Sequence, residues 1–189
     1  MSDTRQLAIK NLKGSDEEMR VSWMLENMNE NKTFKYLLEK NGKKNKNVLL
    51  KSLQDRYVNY RKQWRGNLQF AIKNQLVGEK FKNSNLNPLC IDIETSSVCD
   101  LACPHCYRQF IATPDKIMSK DLAFKIIEQA SELKVPSMKF NWRGEPLLNP
   151  SLTEIIDYAK KKGVLETIIN TNATKLNASN SEKIINSGL

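Results

Sequence analysis

Cys99-Asp100-Leu101-Ala102-Cys103-Pro104-His105-Cys106 places three thiols within eight residues, in the spacing C-x3-C-x2-C. Cysteines this close do not build a disulfide framework, and in a reducing compartment such a cluster reads as metal binding or redox chemistry. Three thiolates at this spacing can ligate three irons of a [4Fe-4S] cubane and leave the fourth iron open to a small molecule. Two other readings compete. Cys103-Pro104-His105-Cys106 alone is a thiol–disulfide exchange motif, but Cys99 and the order of elements around the loop speak against it. A structural zinc site needs four ligands, and Cys90 or His105 would have to complete it; Cys90 sits beside apolar residues, as a small core residue does.

Outward from this loop the grammar is strand, loop, helix, three times over. Residues 89–94 form a short apolar strand that runs into the cysteines. Ser119-Lys120-Asp121 opens a helix with Leu122, Ile126, Ile127 and Ala130 on one side, and residues 138–141 form a second strand. Ser151 caps a helix through about residue 162, Gly163 stops it, and residues 165–170 form a third strand. Ser179 or Ser181 starts a last helix, which ends at Gly188. This alternation predicts an α/β fold with a parallel sheet and right-handed crossovers. Ligands of such sheets sit at the carboxyl ends of the strands. There the unusual residues fall: the cysteines after strand one, Arg143-Gly144-Glu145-Pro146 after strand two, and Asn170-Thr171-Asn172 after strand three.

Residues 1–88 read as a basic, mainly helical region without a catalytic constellation. Ser15 with Glu18 makes a capping box, followed by a core-facing stripe of Met19, Trp23, Met24 and Met28. A second helix, over about residues 48–64, carries Leu50, Leu53, Tyr57, Tyr60 and Trp64 on one face. Two heptads are too few for a coiled coil, so this face is expected to pack on the rest of the protein or on a part beyond it. The turn-forming stretch 82–88, ending in Pro88, sets the expected boundary between domains 1–88 and 89–189.

Composition bounds the rest. The 189 residues are 40% hydrophobic and 27% charged, the balance of a folded globular chain. No stretch approaches the roughly 18 consecutive apolar residues of a membrane span, and the N-terminus lacks the pattern of a signal peptide, so no membrane partner and a cytoplasmic location are expected. The net charge of +9 raises nucleic acid as a partner. That reading is not favoured, because the lysines are scattered along helix-like segments and in Lys43-Lys44-Asn45-Lys46, with no groove-reading motif beside them.

The cysteine spacing, following the first strand of a βα series, resembles the signature loop of the radical S-adenosylmethionine (SAM) superfamily, over about residues 89–189. Gly144-Glu145-Pro146 resembles the end of that family's GGEP motif, with Arg143 in place of the first glycine, and Thr171-Asn172-Ala173 resembles its Thr-Asn-Gly, with alanine in place of glycine. The resemblance implies a [4Fe-4S] cluster on Cys99, Cys103 and Cys106, and SAM on the open iron. Reductive cleavage of SAM to a 5′-deoxyadenosyl radical would then abstract hydrogen from a substrate. It also implies cofactor-binding roles for Gly144, Glu145, Pro146 and Asn172, and for His105, which stands where the family has an aromatic ring near the SAM adenine. As residues, His105 also reads as an exposed loop side chain and Thr171-Asn172-Ala173 as a polar turn satisfying its own backbone. No catalytic residue is assigned, Glu94 included.

The family barrel has about six βα units, of which about three are present, preceded by the helical region. The chain is therefore expected to be a fragment, a truncated gene product or one half of a split protein, weakly active or inactive alone, with no sign of a C-terminal SPASM-type domain. The expected partners are an external one-electron donor of flavodoxin or ferredoxin type and a substrate the sequence does not identify, RNA among the classes. The alternative is a non-catalytic iron-sulfur or zinc-binding module left by truncation.

Overall fold

Three bursts of apolar residues, each short enough for a strand and each followed by a helical pattern, produce three parallel strands with helices between them. The computed structural model describes residues 16–42, 45–84 and 86–189. Strands β1 (Cys90–Asp92), β2 (Ser137–Lys139) and β3 (Glu166–Ile168) lie in that order in one sheet. Ile91 pairs with Met138, and Met138 with Thr167. The strands are shorter than the sequence predicts, but the ladder runs on, with Ile93 N donating to Lys139 O (2.7 Å) and Phe140 N to Ile168 O (2.9 Å).

Successive residues of a strand face opposite sides of the sheet. One side carries Ile91, Ile93, Met138, Phe140 and Ile169 into a core with helices α5 (Lys120–Glu132) and α6 (Leu152–Lys161). From α5 come Ala123, Ile127 and Ala130; from α6, Leu152, Ile155, Ile156 and Ala159. Removing each large apolar side chain from water contributes about 2 kcal/mol. Phe124 and Tyr158 stack across these helices with centroids 3.9 Å apart. Leu122 is not part of this face as the sequence predicts: it is 49% exposed, one position ahead of the buried row that starts at Ala123.

The other side of the sheet is polar. Asp92 pairs with Lys139 (3.8 Å), and Glu94 lies on the same face two residues on.

Two helix starts differ from expectation. Ser119 Oγ accepts from Leu122 N (3.3 Å) as a cap should, but Ser151 makes no side-chain cap; Asn149 Oδ1 accepts Ser151 N (2.9 Å) instead. Helix α7 (Ala178–Ser187) is capped by Asn177, whose side chain accepts Asn180 N (2.9 Å), not by Ser179 or Ser181. It ends, as expected, at Gly188 in the left-handed region.

The N-terminal region contributes α1 (Asp16–Glu26), a 3-10 turn (Met28–Glu30), α2 (Lys32–Asn41), α3 (Lys46–Lys73) and the short α4 (Glu79–Lys82). Helix α3 runs nine residues past the expected end at residue 64. Ser15 lies outside the described residues, and with it the capping box. Trp23 is 62% exposed and does not join the core predicted for its stripe, whereas Met28 is fully buried.

Met28, Phe34, Leu53, Tyr57 and Tyr60 form a second core that closes on Leu165, the residue before β3, with Leu89 packed beside it. Tyr60 Oη donates to Glu166 Oε2 (2.7 Å). Thr33 Oγ1 donates to Val164 O, and Asn31 Nδ2 to Leu165 O (3.0 Å). The helices are thus fastened to the amino ends of the strands, opposite the cysteine loop. A cavity of about 400 Å³ lined by Met19, Arg20, Trp23, Met24, Tyr57 and Glu166 lies at this end. No helix among the described residues is long and apolar enough to cross a membrane.

Lys160, only 3% exposed, donates from Nζ to Leu165 O (2.9 Å). Burial lowers its pKa from the ordinary 10.5 to about 8. Between those values the unfolded chain holds a proton that the folded chain has released. The charged form therefore costs stability below pH 8, and that cost vanishes as pH rises towards 10.5. Leu165 O keeps Asn31 as a donor if Lys160 is replaced. Lys160→Met is therefore expected to raise stability at pH 7 by about 2 kcal/mol, an advantage that shrinks steadily in urea titrations taken from pH 8 to pH 10.5.

Candidate functional site

After β1 the chain enters a run of buried polar residues, Thr95, Ser96 and Ser97, that anchors the cysteine loop at its base. Thr95 Oγ1 donates to Phe140 O (2.8 Å). Ser97 Oγ donates to Pro114 O (2.7 Å) and accepts Lys116 N (2.8 Å), while Ser96 bridges Ile117 in antiparallel sense. Residues 98–114 therefore leave and re-enter the fold at one point. Inside the loop, Cys106 N donates to Cys103 O (3.0 Å), closing Cys103-Pro104-His105-Cys106 into a turn that leads into a 3-10 turn (Tyr107–Gln109). Cys103 is exposed, Cys99 and Cys106 are half-buried, and all are free thiols. His105 is exposed at the turn.

The loop after β2 lies against the root of the cysteine loop. A Cβ on Gly144 would come within 3 Å of Ser96 O, Val98 O and Ser97 C, so only glycine permits this approach. Glu145 N donates to Val98 O (2.8 Å). The Glu145 side chain is 2% exposed, with each oxygen engaged. Oε1 accepts Leu147 N (2.9 Å) and Thr171 Oγ1 (2.7 Å); Oε2 accepts Asn172 N (2.7 Å). Pro146 is buried at the start of a 3-10 turn (Pro146–Leu148).

Asn172 continues the connection back to the cysteines. Its Nδ2 donates to Asp100 Oδ1 (2.9 Å) and lies 3.9 Å from Cys99 Sγ. Thr174 Oγ1 donates to Asp100 Oδ2 (2.6 Å), with Lys175 Nζ 3.5 Å from the same oxygen. The Thr174 hydroxyl and the Asn172 amide hold the Asp100 carboxyl down at about 2. The structure thus links Glu145 to Cys99 through Asn172, with Gly144 and Pro146 on the same turn as Glu145, whereas His105 stays at the rim.

Four residues take roles that a reading of motifs misses: Asp100, Thr174, and Glu94 paired with Arg143. Arg143, at the position where GGEP has glycine, sends its guanidinium to Glu94. Nε donates to Oε1 (2.6 Å), Nη2 to Oε2, and the backbone N of Arg143 to Oε1 (3.2 Å). The Arg143 guanidinium holds the Glu94 carboxyl below its usual range. Opposite charges at the carboxyl ends of adjacent strands were the signal for this pair.

Fitness for a cluster rests on the donor set. Three free thiols, within solvent reach and on one anchored loop, match the thiolate ligands that iron-sulfur clusters take. Among the described residues no three His, Cys, Asp or Glu side chains are gathered closely enough to hold a metal ion.

No family model matches the chain. It is 31% identical over 84 residues, 44% of this chain and 27% of the relative, to a probable GTP 3′,8-cyclase of Methanothermobacter marburgensis. It is 33% identical over 87 residues, 44% of this chain and 24% of the relative, to the tungsten-containing aldehyde ferredoxin oxidoreductase cofactor-modifying protein of Pyrococcus furiosus. Among solved structures it resembles BtrN in complex with AdoMet and 2-DOIA, at a TM-score of 0.50 and 24% identity over 54% of this chain and 43% of BtrN. The chain spans about a quarter of the length of the curated relatives it matches. The likeness to these two relatives supports the radical SAM superfamily for the matched stretch, and the likeness to BtrN is one of fold.

Two substitutions test the site's architecture. Glu145→Ala leaves three donors without their acceptor and is expected to lower the unfolding free energy by about 3 kcal/mol, measured by urea denaturation. Gly144→Ala forces the two loops apart, and a comparable loss of about 3 kcal/mol is expected in the same assay.

Proposed function

We propose that this chain is the cluster-bearing front half of a radical SAM core: about three of six βα units of a partial barrel, with the helical region closing the amino ends of the strands. Cys99, Cys103 and Cys106 are the thiolate ligands of a [4Fe-4S] cluster. The observation that carries this reading is the direct linkage of the cysteine loop to both neighbouring strand-end loops, through Glu145 and Asn172.

A [4Fe-4S] cluster held by Cys99, Cys103 and Cys106 would supply the electron for reductive cleavage of SAM, giving a radical able to take hydrogen from a substrate. The chain's own residues hold and orient. Ser96 and Ser97 fix the base of the cysteine loop. Glu145 fixes the loops after β2 and β3 against each other, and the Glu94–Arg143 pair ties the end of β1 to the turn after β2. Gly144, Glu145, Pro146 and Asn172 would serve SAM binding from the strand ends, and His105, at the rim, would lie near its adenine. The electron comes from an external flavodoxin- or ferredoxin-type donor in the cytoplasm.

The test is anaerobic reconstitution with iron and sulfide, followed by EPR of the dithionite-reduced chain with and without SAM. A [4Fe-4S]⁺ signal that shifts with SAM and disappears in the Cys99, Cys103 and Cys106 triple-alanine variant is the expected result. Bound zinc without a cluster would overturn the proposal.

A further inference from the structure

Asp100 follows directly on Cys99, and both of its carboxylate oxygens are used on residues far along the chain. Oδ1 accepts from Asn172, 72 residues away, and Oδ2 from Thr174, 74 residues away. Asn172 is itself held on three sides. Its backbone N is bound to Glu145 Oε2, and its Oδ1 accepts Thr174 N (3.0 Å). Of the two hydrogens on its Nδ2, one goes to Asp100 and the other is left for Cys99 Sγ at 3.9 Å. Glu145 in turn takes Thr171 as well, so the chain of contacts runs from the buried turn after β2 to the first cysteine without a gap.

We infer that Asp100 and Asn172 are positioning residues that clamp the cysteine loop onto the loop after β3 and aim an amide N–H at the Cys99 sulfur. The clamp fixes the first of the three thiols relative to the sheet, while Cys103 remains exposed on its turn. An amide donor on a cysteine sulfur raises the reduction potential of the cluster that sulfur holds. This second consequence rests on the radical SAM reading; the clamp itself does not.

The two parts have separate readouts. In the metal-free full chain, hydrogen exchange of a peptide covering residues 98–103 is expected to quicken about tenfold in Asp100→Ala, the size of one charge-assisted hydrogen bond. A peptide covering residues 135–141 is expected to stay unchanged. Asp100→Asn, which keeps an oxygen for Asn172, restores most of the protection. Should Asp100→Ala not fold, Thr174→Val removes the Oδ2 bond alone and gives a smaller change in the same direction. In the reconstituted chain, Asn172→Ala keeps its cluster, but the midpoint potential moves to more negative values. Unchanged exchange at residues 98–103 in folded Asp100→Ala overturns the clamp, and an unchanged potential in cluster-loaded Asn172→Ala overturns the aimed donor. If the parent chain takes up no cluster at all, the functional proposal fails, and the exchange data still decide the clamp.

Discussion

A carboxylate withdrawn from water must find its hydrogen bonds inside the protein, and Glu145 finds three of them on two different loops. That requirement fixes more than one side chain. Because Leu147 N comes from the same turn while Thr171 and Asn172 come from beyond β3, the carboxylate cannot be satisfied unless the ends of β2 and β3 lie side by side. Gly144 brings the same turn within backbone distance of Ser96 and Val98, which fixes the end of β1. Three separate strand ends are thus brought to one place by two adjacent residues.

The two sides of the sheet obey different rules. Towards α5 and α6 the packing is apolar, and many hydrophobic choices of similar volume would serve. The opposite side carries paired charges, Asp92 with Lys139 and Glu94 with Arg143, which belong beside water or a polar ligand. This division accounts for a sheet that reads as apolar in sequence yet is covered by helices on one face.

What could be read directly from sequence was local. The strand-helix alternation, the helix begun at Ser119 and the stop at Gly188 follow from short-range rules and hold in the structure. So does the placing of the cysteines, Gly-Glu-Pro and Thr-Asn-Ala at the carboxyl ends of the strands. Where neighbours compete the reading slipped: Asn177, Ser179 and Ser181 are all competent caps, and the backbone chose the first. Periodicity marked the stripe through Trp23 but not how far its neighbours extend to cover it, and Leu122 fell just outside the buried row. Helix α3 continues past Gly66 because the residues after it are helix formers that need no core. The partners of Asp100 and Arg143 lie 49 to 74 residues away, and no periodicity signals a contact at that range.

Tyr60, Thr33 and Asn31 grip the amino ends of the strands, while Glu145 and Asn172 organise the opposite ends. The sheet between them acts as a rigid spacer. Because the two sets share no partner, their energetic effects should add independently. The helical layer can then drift in sequence, as a foundation is rebuilt under a standing floor, without disturbing the chemistry above it.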